Sequence, residues 1–249
     1  MLTNEMIDEL LLIKTANTIE STNGIDSPEQ CKDYHRYKFW GKNVMYEYNY
    51  LGYRDNEWPE DLSNRVWCIG DSFTLGLGQT FNETWPQLLS KKINDIIINI
   101  SMNGASNDWI ARRALYILKT FQPKHILIQW SFLHRRELSN TQLTDEERAI
   151  WLDTKDNKDI ENFLKNMHLV EDNKNSTQVV HSFVPFFANF KDPSHPDLLV
   201  YKHLDENNIS YFVSPEQLDF ARDGYHYDVL TANAYATKYY EGLNRLCLN

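Results

Sequence analysis

The stretch Val66-Trp67-Cys68-Ile69-Gly70-Asp71-Ser72-Phe73-Thr74-Leu75-Gly76-Leu77-Gly78 decides how the rest of the chain is read. Val66 to Ile69 is a short, continuously apolar run, the pattern of a strand covered on both faces. Gly70-Asp71-Ser72 then breaks the run with turn-forming residues. A serine at such a strand-to-loop turn presents its hydroxyl and its own backbone N–H together. The hydroxyl is a poor nucleophile alone and needs a base within hydrogen-bond reach.

Outward from that point, short apolar runs alternate with helical periodicity. Thr84-Trp85-Pro86-Gln87 has capping-box spacing before a helix that carries Leu88, Leu89 and Ile93 on one face. Ile96 to Ile100 is a second strand, and Ser106 or Asn107 caps a helix carrying Ile110, Ala114, Ile117 and Leu118. Pro123 ends that helix and His125 to Trp130 is a third strand. Thr144 with Glu147 repeats the capping-box spacing, and a helix surrounds Ile160 to Met167. Val179 to Val184 is a fourth strand, Leu198 to Leu204 a helix, and Ile209 to Val213 a fifth strand. Ala232, Ala236, Tyr239, Leu243 and Leu246 lie on one face of a last helix. Strand–helix–strand repetition predicts right-handed crossovers. The expected fold is a flavodoxin-like three-layer α/β/α sandwich with a central, mostly parallel five-stranded sheet. In such sheets ligands bind beyond the carboxyl ends of the strands. Residues 61–249 are read as that domain and residues 1–60 as an N-terminal extension packed on it. The extension has an amphipathic pattern over residues 4–20, breaks at Asn23-Gly24 and Ser27-Pro28, and an aromatic-rich segment from Tyr34 to Tyr53.

A base for Ser72 is offered far downstream by Asp223-Gly224-Tyr225-His226, just before the last helix. A carboxylate three residues from an imidazole reaches the ring N–H round a tight turn, fixing the tautomer and stabilising the imidazolium.

These blocks resemble the SGNH, or GDSL, hydrolases. Gly70-Asp71-Ser72 matches the family's first block, and Glu83-Thr84-Trp85-Pro86 its common continuation. In Asn103-Gly104-Ala105-Ser106-Asn107, Gly104 matches the glycine whose N–H enters the oxyanion hole, and Asp223 with His226 matches the last block. Asn49-Tyr50-Leu51-Gly52-Tyr53-Arg54 is similar to the lead-in of many members. The resemblance, over residues 49–246, implies ester hydrolysis through Ser72, His226 and Asp223 with no cofactor. One block departs. Where the family carries an oxyanion-binding Asn after the third strand, this chain reads Trp130-Ser131-Phe132-Leu133-His134. Ser131 is the first substitute, with Asn107 and His134 behind it.

Trp130, Trp109 and Asn107 are read as substrate-binding residues, the two tryptophans as a sugar-stacking surface with core packing as an equal alternative. No long apolar lid-like segment suggests a lipid site. A short acyl (acetyl) group on a carbohydrate is the expected substrate. An acyltransferase on the same scaffold, or a non-catalytic glycan-binding module, are the alternatives. Arg135-Arg136 reads as a solvated charged face, with a carboxylate-binding role as the alternative.

The remaining composition excludes other classes. The chain has 249 residues, 35 acidic against 25 basic, for a net charge of −10. That balance gives no electrostatic footprint for nucleic acid. No apolar run approaches the roughly 18 to 20 residues of a membrane-spanning helix, and no signal peptide is read at the start. Cys31, Cys68 and Cys247 form neither a disulfide framework nor a zinc pattern, and the histidines show no metal-ligand spacing. A reduced, cytoplasmic protein without metal or membrane partner is expected.

Overall fold

The apolar runs are built into a parallel sheet in the computed structural model, which describes residues 2–22, 26, 42–137, 149–151, 157–185 and 196–246. Asn23-Gly24, Ser27-Pro28, residues 34–41 of the aromatic segment, the Thr144–Glu147 capping box, His195, Cys31 and Cys247 lie outside the described residues. The first elements are α1 (Asn4–Leu10) and the antiparallel pair β1 (Ile19–Glu20) and β2 (Tyr46–Glu47). Then follow β3 (Val66–Gly70), α2 (Ser72–Leu75), α3 (Trp85–Ile93), β4 (Ile97–Ser101), α4 (Asn107–Thr120) and β5 (His125–Trp130). A second antiparallel pair, β6 (Arg135–Glu137) and β7 (Ala149–Trp151), precedes α5 (Asn157–Glu171), β8 (Gln178–Phe183), α6 (Pro196–Glu206) and α7 (Val229–Leu246).

The central sheet has four parallel strands in the order β4-β3-β5-β8. Val66 pairs with Ile97 on one side and His125 on the other, and Trp130 pairs with Phe183. Every residue of β3, β4 and β5 is buried, because helices cover both faces. The side chains alternate accordingly. Val66, Cys68, Ile97, Leu127 and Val180 pack with Trp85, Leu89, Tyr235 and Tyr239 from α3 and α7. Trp67, Ile69, Ile98 and Ile126 pack with Trp109, Ile110 and Ile117 from α4, Phe163 from α5 and Leu204 from α6. This is the three-layer α/β/α arrangement, and the strand order is the flavodoxin-like one.

Three local expectations are corrected. The fifth strand, Ile209 to Val213, is reduced to one bridge pairing Tyr211 with His181, and Val213 is 54% exposed. With solvent on its outer side, that segment pairs only where Phe212 N–H reaches His181 O and His181 N–H reaches Ser210 O. The helix expected over residues 4–20 stops at Leu10. Leu11 turns extended, and Leu12 N–H bonds Leu51 O at 2.8 Å, so a tertiary partner takes the chain from the helix. Before α3 the capping carboxylate is Glu83, which accepts from the N–H and hydroxyl of Thr80. The Thr84 side chain instead donates to Phe81 O.

The N-terminal residues pack on this core. Leu10, Leu12, Leu51 and Tyr53 share a cluster with Trp67 and Ile98, and Tyr53 Oη donates to Leu10 O at 2.7 Å. No helix among the described residues is long and apolar enough to cross a membrane.

Candidate active site

At the carboxyl end of β3 the chain turns sharply into α2. Gly70 is required there, because a Cβ would stand 2.0 Å from Thr74 Oγ1. Asp71 caps the helix through its Oδ1, which accepts from Phe73 N–H at 2.9 Å. Thr74 and Leu75 N–H both reach Asp71 O, which leaves the Ser72 N–H over in the first turn. After β4, Gly104 takes φ +77° and a Cβ there would meet nothing within 4 Å. Its neighbours make the turn's bonds, Met102 N–H to Gly70 O and Ala105 N–H to Met102 O.

The third component arrives on the loop before α7. Asp223 Oδ1 accepts from Tyr225 N–H at 2.8 Å and His226 N–H at 3.0 Å, winding the loop so that both side chains face one way. Asp223 Oδ2 lies 2.5 Å from His226 Nδ1, and His226 Nε2 lies 2.8 Å from Ser72 Oγ. An ionised carboxylate only accepts, so the ring proton belongs on Nδ1 and Nε2 is the acceptor that faces the serine hydroxyl. Burial raises the Asp223 pKa, but the charge and hydrogen bond of His226 and two backbone N–H groups outweigh it. The carboxyl therefore lies below its usual value and stays ionised. Ser72, Asp223 and His226 are all buried, with the Phe73 ring 4.4 Å from the imidazole.

Residues that the sequence reading did not single out hold these parts. Gln129 sits inside β5. Its Oε1 accepts from Thr74 Oγ1 and Trp85 Nε1, and its Nε2 donates to Tyr227 Oη, which in turn donates to Phe73 O. The network ties the serine's helix to the residue after His226. A polar residue following the apolar run Ile126–Ile128 was its signal. Arg54 is buried over the Tyr46 ring and donates to the carbonyls of Leu75, Gly76, Gln79 and Met45. It fastens the carboxyl end of α2, and it lies in the lead-in noted from the family resemblance. Arg222 pairs with buried Asp26, whose Oδ2 also accepts from Tyr46 Oη; Tyr46 Oη accepts from Gly78 N–H at 2.7 Å.

Ser72, Asp223, His226 and Gly104 come to one end of the sheet as expected, but the other expected site residues do not serve as read. Ser131 has one hydroxyl proton, and it goes to Asp71 Oδ2 at 2.5 Å in a fully buried position. Asn107 is buried as well, accepting from Ser131 N–H and donating to Phe132 O. It locks α4 to the loop after β5. Trp130 and Trp109 are fully buried core residues, not a stacking surface. Trp130 lies inside a strand covered on both faces and donates to His181 Nδ1, while Trp109 packs in the α4 layer. His134 stacks on Phe132. Arg135 and Arg136 are not a solvated face either. Arg136 pairs with buried Asp159 at 2.6 Å, and the Arg135 side chain, 13% exposed, turns inward to Asp71. Among the described residues no three His, Cys, Asp or Glu side chains group as a metal site.

No protein-family model matches the chain, and no curated protein matches its sequence. Solved structures match in fold at low identity. TesA superposes with a TM-score of 0.54 over 74% of this chain and 99% of that one, at 16% identity. A family two carbohydrate esterase from Clostridium thermocellum, solved in complex with cellohexaose, gives 0.53 over 76% of this chain and 66% of that one, at 17% identity. A GDSL-like lipase from Bacteroides thetaiotaomicron gives 0.50 over 76% and 91%, at 13% identity. The chain has the α/β/α fold of the esterases and lipases of the GDSL, or SGNH, kind.

Proposed function

We propose that the protein is a serine ester hydrolase that works through an acyl-enzyme, with a short acyl ester of a carbohydrate as substrate. The observation that carries this reading is the unbroken chain Ser72 Oγ–His226–Asp223 at 2.8 and 2.5 Å. His226 Nε2 takes the Ser72 proton as Oγ attacks the ester carbonyl. The Ser72 and Gly104 N–H groups receive the oxyanion that forms. The tetrahedral intermediate then expels the alcohol, to which His226 gives the proton. A water deprotonated by His226 adds to the acyl-enzyme, and collapse of the second intermediate releases the acid and returns the proton to Ser72. Asp223 keeps the tautomer and offsets the imidazolium charge. The carbohydrate part is supported by carbohydrate esterases that share the fold, one of them holding cellohexaose.

A fluorophosphonate probe tests the reading directly. It should label Ser72, and Ser72→Ala or His226→Ala should abolish both labelling and hydrolysis of p-nitrophenyl acetate. Failure of the wild-type chain to label sinks the hydrolase reading. Acetyl release from acetylated xylan or chitin oligosaccharides tests the substrate, and a rise in kcat/KM from acetate to octanoate esters would replace the carbohydrate with a lipid. Product analysis with an added sugar acceptor separates hydrolysis from acyl transfer.

A further inference from the structure

The residues expected to replace the missing amide donor are already engaged: Ser131, just past β5, with Asp71, and Asn107, at the start of α4, with Ser131 N–H and Phe132 O. Arg135, at the start of β6, brings a different group towards the end of β3, against Asp71. We propose that the guanidinium of Arg135 is the third oxyanion donor, standing where an amide is absent; this rests on the serine-hydrolase reading above.

Four observations carry it. The first is position. Arg135 Nη1 lies 3.5 Å from Oδ2 of Asp71, the residue immediately before the nucleophile, whose Oδ1 bonds the N–H immediately after it. Its Cζ is 5.9 Å from the Phe132 ring, which packs edge-on against Phe73, and Phe73 touches His226. Burial lowers its pKa, and the groups that oppose this are Asp71 and Tyr225, chain neighbours of Ser72 and His226. The second is that β6 is pinned by its other charges. Arg136 is held by Asp159, and Glu137 by a two-pronged contact with Arg112 at 2.8 and 3.1 Å, with its N–H on Asp108. Arg135 N–H bonds Phe132 O, so the residue is fixed at its backbone while its side chain points inward.

The third concerns the chemistry of the donor. A 3.5 Å approach is an ion pair, too long for a hydrogen bond. A guanidinium has five N–H groups in a rigid fork and stays protonated, so it holds a carboxylate and presents donors to a second anion together. The fourth is charge balance. Asp71, the residue before the nucleophile, is a fully buried carboxyl whose Oδ2 meets Ser131 Oγ and Arg135. Like charges repel, and a cation bound between them turns the repulsion into attraction. Without Arg135 the transition state would form a second anion while the first stayed unneutralised.

The test uses the full chain with Arg135→Ala, Arg135→Lys and Arg135→Gln, assayed on p-nitrophenyl acetate and by fluorophosphonate labelling. Loss of one oxyanion donor costs about 10²- to 10³-fold in kcat. Arg135→Ala should lose about 100-fold in kcat with KM within about threefold, because the bond matures only in the transition state. Labelling should slow in parallel. Guanidinium ion added at millimolar concentration should restore part of kcat in Arg135→Ala, whereas urea, neutral and of the same shape, should not. Arg135→Lys should fall between the wild type and Arg135→Gln. Should Arg135→Ala fail to fold, the Lys and Gln variants carry the comparison. A kcat within threefold of wild type in a folded variant overturns the proposal. So does a loss confined to KM on substrates that carry a carboxylate, which would make Arg135 a substrate anchor. Equal losses in Lys and Gln with a fallen melting temperature and no rescue would make it a structural partner of Asp71 and overturn it likewise. Failure of the wild type to label at Ser72 is a separate result, and it removes the hydrolase reading together with this one.

Discussion

Asp223→Asn is the smallest change that tests how the site makes its base, because the structure dictates which way the new amide must face. Asp223 Oδ1 accepts two backbone N–H groups, from Tyr225 and His226, and only an oxygen can fill that place. The amide nitrogen is therefore forced into the Oδ2 position, 2.5 Å from His226 Nδ1. Two donors cannot face each other at that distance, so the imidazole must move its proton to Nε2. That proton then points at Ser72 Oγ, and the base becomes a donor to the group it should deprotonate. Such a tautomer reversal lowers kcat about 10⁴-fold, close to 5.5 kcal/mol at about 1.36 kcal/mol per decade. Asp223→Ala removes the carboxylate without imposing the wrong tautomer, since a water can enter and accept from Nδ1–H. Alanine should therefore be the faster of the two variants by about tenfold, against the intuition that the conservative change is milder. Stopped-assay hydrolysis of p-nitrophenyl acetate gives the rates, and ¹⁵N chemical shifts of the His226 ring report the tautomer. Asp223 already sits below the usual carboxylate range, so its own protonation adds no pH dependence to the wild-type rate above about pH 5. An asparagine variant equal to or faster than the alanine one, or an Nδ1-protonated ring in it, refutes the reasoning.

Further expectations follow from single positions. Gly70→Ala brings a Cβ to 2.0 Å from Thr74 Oγ1 and should destroy the fold of the turn, whereas Gly104→Ala meets nothing within 4 Å. Gly104→Ala should cost only the positive-φ penalty of about 1 to 2 kcal/mol, and thermal melts of the two variants compare them. Arg54→Met leaves buried carbonyls of α2 without their donor at about 1 to 3 kcal/mol each, so a fall in melting temperature with slowed phosphonate labelling is expected, and an unchanged melt would refute the clamp. Burial, then Lys124, pushes the His125 pKa down to about 4. The native state therefore resists a proton that the unfolded chain accepts. Stability should be complete above about pH 6.5 and fall between there and about pH 4, by at most about 3 kcal/mol; His125→Gln should flatten that part of the pH–stability curve.

What could be read from the chain and what could not divide along physical lines. The strands β3, β4 and β5 were legible because burial on both faces keeps most of their positions apolar, with Asn99, Ser101, His125 and Gln129 the polar exceptions. Ser72, Asp223 and His226 were legible because each lies in a tight turn with its own local signature. For Trp130 stacking and core packing were both open, and the core reading holds because a residue inside a strand covered on both faces belongs to the core. Ser131 stood at the right strand end, but nothing local shows that a carboxylate sixty residues away in sequence, Asp71, takes its proton. Gln129, Tyr227 and Arg54 were missed for that reason too. Their partners are set by the way crossovers bring strand ends together, and periodicity carries no record of it. Ile209 to Val213 has the apolar pattern of a strand, yet pattern does not say whether a neighbour exists on both sides.

The loop that carries His226 has almost no regular structure of its own, so its accuracy must come from side chains that reach it, and several of those belong to the first sixty residues. Asp219 gathers Asp228, Leu230 and Thr231, and Gln79 and Gln217 hold the carbonyls of Tyr227 and Tyr225. Arg222, next to Asp223, is buried at 4% exposure and finds its counter-charge in Asp26 and a carbonyl partner in Ser21. Lys42 bonds Asp228 at 2.5 Å and Glu83 at 2.8 Å. A chain beginning at residue 61 would keep all of the central sheet and Ser72, Asp223 and His226. It would lose Asp26 from Arg222, Lys42 from Asp228 and Arg54 from the end of α2. Leu10, Leu12, Leu51 and Tyr53 would also no longer cover Trp67 and Ile98, at about 1.5 to 3 kcal/mol for each large apolar side chain unburied, and a domain has only about 5 to 15 kcal/mol in total. The shortened chain should therefore melt far below the full one, or fail to fold, and should not label at Ser72. Adding back a peptide of residues 1–60 should restore labelling in part. A chain of residues 61–249 that folds and labels at the full rate would show instead that the hydrolase domain holds its histidine loop unaided, and that the N-terminal sixty residues serve something other than the site.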